Sequence, residues 1–130
     1  MKVDSLDHLV LTVRDIDQTV EFYQKVLGME KVVFGDNRVA LFFGRQKINL
    51  HQLGSEFEPK AGSVCTGSAD LCFIIKTPID EAMAHLISCG VAIIDGPVSR
   101  TGGSGAIISL YFRDPDQNLI EVSNYTNGDK

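Results

Sequence analysis

Four side chains in this sequence are out of keeping with their surroundings: His8, His51, Asp70 and Glu121. Each falls inside or at the edge of a short apolar or β-branched run. Burying an ionised carboxylate such as Glu121 costs several kcal/mol unless something positive meets it. Imidazole and carboxylate together are the ligands of choice for Zn²⁺, Mn²⁺, Fe²⁺, Co²⁺ and Ni²⁺. Two imidazoles with one or two carboxylates would neutralise such an ion and leave positions open for substrate. Singly, each residue has a plainer reading. His8 and His51 would be hydrogen-bonded core histidines, Asp70 a strand-edge residue, and Glu121 a side chain on a wet strand face. The four together favour a divalent transition metal of undetermined identity.

The elements that must position them follow from periodicity. Asp7 to Val13 reads as a strand, with His8, Val10 and Thr12 on one face. Asp15 and Asp17 are N-cap candidates, and Val20, Tyr23 and Leu27 have helical spacing up to a stop at Gly28. Strands follow over Glu30–Phe34, Arg38–Phe43 and Lys47–Leu53. Residues 54 to 68 have no apolar periodicity and read as a linker. The pattern then restarts: a strand over Ala69–Lys76, a helix from Pro78 to Gly90, and a strand over Val91–Ile94. Arg100 to Gly105 reads as a flexible glycine-rich loop. A strand over Ile107–Phe112, an Asp114-Pro115-Asp116-Gln117-Asn118 turn and a strand from Leu119 to Ser123 close the chain.

The order is an internal repeat of two βαβββ modules, an α+β architecture. Residues 1–130 form one domain: module one about 5–53, module two about 69–125. Asp7–Leu11 stands against Ala69–Phe73, and Leu27-Gly28 against Cys89-Gly90. His51 and Glu121 each lie on a module's last strand, and are expected at equivalent positions. Two curved half-open sheets related by a pseudo-two-fold would line a cavity.

Composition narrows the function. At 130 residues the chain fits one domain, with 44% hydrophobic and 22% charged residues. A net charge of −5 argues against nucleic acid or anionic membrane as the main partner. Cys65, Cys72 and Cys89 show no Cys-x-x-Cys spacing; Cys72 and Cys89 read as small core residues, which suits a reducing compartment. The amino terminus does not read as a signal peptide, and no apolar run approaches the roughly 20 residues needed to span a bilayer. A cytoplasmic location is expected. Arg100 in its glycine-rich stretch is a candidate clamp for a substrate carboxylate or phosphate, against the plainer reading of a mobile connection. His85 falls off the helical stripe and is expected in solvent.

The sequence resembles the vicinal oxygen chelate superfamily, which includes glyoxalase I, fosfomycin-resistance proteins, extradiol dioxygenases and bleomycin-binding proteins. The residues that carry the resemblance are Asp7-His8-Leu9-Val10-Leu11, Phe22 to Met29 and Tyr111 to Val122. Asn49-Leu50-His51, Glu56-Phe57-Glu58-Pro59-Lys60 and Leu119 to Tyr125 resemble short glyoxalase-domain-containing proteins. The resemblance implies that His8 is the first-strand metal ligand and Glu121 the last-strand ligand. It sets His51 where bacterial glyoxalase I has a glutamate. It sets Asp70 where a second-module histidine is usual, as a fourth ligand or a base. It further implies a homodimer with sites shared between chains.

What it implies chemically is a substrate chelated through two neighbouring oxygens, with a carboxylate, Glu121 or Asp70, moving a proton between adjacent carbons. The first expectation is a glyoxalase-like lyase or isomerase acting on a small α-oxo-aldehyde or its thiol adduct. The second is an extradiol dioxygenase, for which Tyr111 has the spacing of an active-site tyrosine in ring-cleaving relatives; otherwise it is a core tyrosine. The third is a metal-free binding protein of the bleomycin-resistance type.

Overall fold

The computed structural model describes residues 1–126. The chain divides into two compact units, Met1–Gly67 and the part from Ser68 onward. Each is a βαβββ module, as expected. No helix among the described residues is long and apolar enough to cross a membrane.

The first unit runs β1 (His8–Val13), α1 (Ile16–Leu27), β2 (Glu30–Phe34), β3 (Arg38–Phe43) and β4 (Gln46–Gln52). Its sheet has the order β1-β4-β3-β2, with β1 parallel to β4 and the other pairs antiparallel. Asp15 caps α1 by accepting from the Gln18 N–H at 3.2 Å. Gly28 ends it in the left-handed conformation, its N–H donating to the Gln24 carbonyl and that of Met29 to the Tyr23 carbonyl. Buried Val20, Tyr23 and Val26 give α1 its apolar stripe. Leu11, Val13, Leu41, Ile48 and Leu50 share one face of the sheet and are buried.

The stretch read as a linker is folded onto this unit. Phe57 stacks edge-on against His51 at 5.5 Å, and Lys60 pairs with Glu56 at 3.5 Å. It lacks periodicity because turns, not a repeating element, hold it.

The second unit runs β5 (Asp70–Ile74), α2 (Ile79–Ser88), β6 (Asp95–Gly102), β7 (Gly105–Arg113) and β8 (Leu119–Tyr125), with the sheet order β5-β8-β7-β6. Leu110, Phe112, Ile120 and Val122 form its buried face, and α2 turns Ala82 and Leu86 inward. His85 is exposed, as expected.

One strand lies elsewhere than the periodicity predicts. Val91–Ile94 is not a strand, and the strand is Asp95–Gly102, across the segment read as turn and flexible loop. The register with β7 shifts between Asp95 and Val98, which accommodates Gly96-Pro97. Gly96 has φ +104, and a Cβ there would collide with the Ser109 carbonyl. Only glycine lets the two strands approach so closely. Arg100 and Thr101 therefore sit in a paired strand, opposite Ile107 and Ala106. The apolar alternation that would have marked it is missing because Val98 is the one branched aliphatic side chain in β6.

Candidate functional site

Strand pairing in the second unit gathers its polar residues on the face opposite the buried one. Glu121 on β8 lies between Tyr111 on β7 and Cys72 on β5, directly opposite each. Arg100 on β6 is opposite Ile107, four residues before Tyr111 and on the same face. These side chains, with Ile74 and Tyr125, line a cavity of about 520 Å³.

Arg100 is held in place at the rim. Its Nε donates to the Tyr111 hydroxyl at 3.1 Å, one Nη donates to the Ser99 carbonyl at 3.0 Å, and the other lies 3.5 Å from the Asp95 carboxylate. Burial pushes the Tyr111 phenol above its ordinary range, against the pull of the Arg100 hydrogen bond. The phenol is therefore a neutral donor at physiological pH.

Glu121 has no cationic partner among the described residues. The Ser123 hydroxyl lies 3.5 Å from its carboxylate, and the Cys72 thiol and Tyr111 phenol also interact with it. Ser123 is itself fully buried, 2.7 Å from the Ser109 hydroxyl and 3.3 Å from the Cys72 thiol. Cys72 is exposed at the cavity rather than in the core, because β5 turns it to the same face as Glu121. Burial of its surroundings still pushes the thiol upward, so it rests protonated. Asp70 is on this face too, but exposed and opposite Leu119, one strand repeat from Glu121.

His8 and His51 belong to the first unit. The His8 side chain is 44% exposed, and its Nδ1 bonds the Asp7 carboxylate at 2.8 Å. That carboxylate fixes the tautomer and leaves Nε2 free to accept, an arrangement that suits a metal-ligating histidine. His51 is buried, and its Nε2 lies 3.5 Å from an Arg38 Nη. Burial, then the Arg38 charge, holds its imidazole below the ordinary histidine range.

A folded-state histidine depressed in this way gives stability that is present above pH 6.5 and is lost as pH falls below it. Metal-free protein is expected to lose urea resistance on going from pH 7 to pH 5. His51→Gln should flatten that dependence while the parent keeps it; parallel slopes in urea melts would show that His51 contributes nothing.

The repeat does not make His51 the counterpart of Glu121. His8 and Asp70 are 62 residues apart, as are Val10 and Cys72. Glu121 is opposite Cys72, whereas the residue opposite Val10 is Asn49. His51 lies opposite Thr12 and so corresponds to Ser123, which is opposite Ile74. Asn49 is 6% exposed, and its Oδ1 is buried with no hydrogen-bond partner. A buried acceptor without a donor costs about 1–3 kcal/mol, so this oxygen suits a cation or a ligand donor. Sequence reading missed Asn49, because an amide on a strand gives no signal until the register is known. Among the described residues, no three His, Cys, Asp or Glu side chains gather closely enough to hold a metal ion.

With this geometry in view, the chain's relatives are informative. Virulence protein STM3117 of Salmonella typhimurium is 57% identical over 96% of this chain and 87% of its own length. Glyoxalase domain-containing protein RDO1 of Mycosarcoma maydis is 56% identical over 96% of this chain and 70% of its own. The solved integron cassette protein VCH_CASS1 of V. cholerae superposes with a TM-score of 0.95 at 65% identity, covering 97% of this chain and 98% of its own. Residues 5–122 match the family description Glyoxalase/Bleomycin resistance protein/Dioxygenase superfamily, and the chain belongs to that superfamily.

Proposed function

We propose that this protein is a divalent-metal-dependent enzyme, a lyase or isomerase acting on a small oxygen-chelating substrate such as an α-oxo-aldehyde or its thiol adduct. The superfamily contains metal-dependent enzymes. The observation that carries the reading is Glu121, a carboxylate lining a cavity with no ion-pair partner among the described residues. A divalent ion of the Ni²⁺, Zn²⁺, Mn²⁺, Co²⁺ or Fe²⁺ group, when bound there, would supply that charge and polarise two neighbouring substrate oxygens.

His8 through Nε2, Glu121 and Asn49 through Oδ1 are the proposed ligands. Asn49 takes the place first given to His51, whose Nε2 already faces a guanidinium. The set is proposed to close in a homodimer, with His8 and Asn49 from one copy and Glu121 from the other. Asp70, on the Glu121 face and exposed, is the proposed proton carrier between adjacent substrate carbons. Arg100, whose guanidinium has N–H groups beyond those that meet Tyr111, Ser99 and Asp95, holds a substrate carboxylate or phosphate. The Tyr111 phenol, fixed by Arg100, orients the substrate oxygen next to it.

Extradiol ring cleavage is the second reading, and Tyr111 directly opposite Glu121 is the observation that favours it. Untagged protein purified without added metal is expected to hold about one transition-metal ion per site by elemental analysis. The same protein should consume methylglyoxal with a thiol and leave catechols intact. A yellow ring-fission product from catechol in air would move the assignment to the dioxygenase. Absence of metal, together with no thermal shift on adding one, would leave a metal-free binding protein.

A further inference from the structure

The first sheet carries two cations, Arg38 and Lys47, that the proposed chemistry does not use. On the face opposite its buried aliphatic side, β3 presents Arg38, Ala40 and Phe42, and β4 presents Lys47, Asn49 and His51. Phe34 on β2 is opposite Arg38. The Lys47 ammonium sits 4.0 Å from the Phe34 ring centre, and the Arg38 guanidinium lies 5.5 Å from the same ring and 4.5 Å from that of Phe57. One phenyl ring is thus shared by two cations.

Neither cation has a carboxylate partner among the described residues, although the chain carries 17 acidic side chains against 12 basic ones. Two like charges held around one ring repel each other, and an anion seated between them offsets that repulsion. The rings hold the cations in place by cation–π attraction and keep them partly out of water, which strengthens their grip on a bound anion.

The geometry points to a binding site for a small aromatic or apolar carboxylate. Its charge lies between Arg38 and Lys47, and its apolar body lies against half-buried Phe34 and exposed Phe42. The guanidinium fork, anchored from behind by His51, takes the carboxylate through N–H donors, and the ammonium adds a point charge. This assignment stands without the metal.

Benzoate and benzamide are the probes, titrated into the full metal-free chain and followed by amide NMR shifts. Benzoate is expected to shift the amides of β2, β3 and β4. Benzamide, with the same ring and no charge, should bind at least about tenfold more weakly. Lys47→Met keeps an unbranched apolar side chain but removes the charge over Phe34, and is expected to weaken benzoate about tenfold; Arg38→Gln should do the same or more. Shifts confined to the Arg100 cavity, equal binding of the two probes, or an unchanged affinity in folded Lys47→Met would overturn the assignment. Because no metal is present, loss of the metal reading would leave these outcomes unaffected.

Discussion

Glu121→Gln is expected to lower transition-metal affinity by at least about 100-fold and to abolish turnover, with little change in the metal-free fold. Even a residue that only orients a ligand costs about 10–100-fold when removed, and Glu121 is proposed as the ligand itself. The amide keeps the size and shape of the side chain but loses the negative charge. In the metal-free protein the substitution should be mild. Glu121 has no cationic partner to lose, and the Ser123 hydroxyl at 3.5 Å can still donate to the amide oxygen. The readouts are elemental analysis and the thermal shift produced by Ni²⁺, Zn²⁺ or Mn²⁺. Full metal occupancy in Glu121→Gln would remove Glu121 from the ligand set and with it the main support for the enzyme reading.

A different kind of loss is expected from Asp114→Ala. Asp114 is 2% exposed, and its carboxylate accepts from the Asp116 N–H at 2.9 Å, the Asn118 N–H at 3.0 Å and the Asn118 side-chain amide at 2.8 Å. Asn118 is also buried, and its Oδ1 takes the Ala69 N–H at 2.9 Å. Removing the carboxylate strands three buried donors, and hydrogen bonds to a charged acceptor are worth roughly 1.5–3 kcal/mol each. A destabilisation of about 4 kcal/mol is expected, allowing for partial rescue by water. Urea unfolding at pH 7 measures it. A change under about 1 kcal/mol would mean that the turn is held by its backbone alone.

Much of this molecule is written in its apolar periodicity. The α1 stripe, its Asp15 cap and its Gly28 stop are each local, and each was legible. The Asp114–Asn118 turn was legible for the same reason, since its residue types bond their own backbone. β6 was not. Its sequence, Asp-Gly-Pro-Val-Ser-Arg-Thr-Gly, has turn composition, and it becomes a strand because β7 supplies a partner and Gly96 permits the close approach. Cys72 was misplaced because an apolar run does not say which face of a strand is covered.

The candidate site divides in the same way. Glu121 stood out because a lone carboxylate in an apolar strand is conspicuous. Asn49 did not, because its meaning depends on lying opposite Val10 and on an unmet bonding need, both of them tertiary facts. Arg38 and Lys47 are nine positions apart in sequence and meet only because Phe34, on a third strand, stands between them.

The clasp between Asp114 and Asn118 governs two strands at once, since Asn118 leads into β8 and grips the start of β5. Side chains on a strand alternate sides, so a slip of one position would invert every one of them. This small knot therefore acts as the phase lock of the second sheet: it decides that Glu121 and Cys72 look one way while Ile120 and Val122 look the other. Scaffold and chemistry are set by separate residues, so the occupants of the cavity can be exchanged for other reactive groups without retuning the frame that presents them.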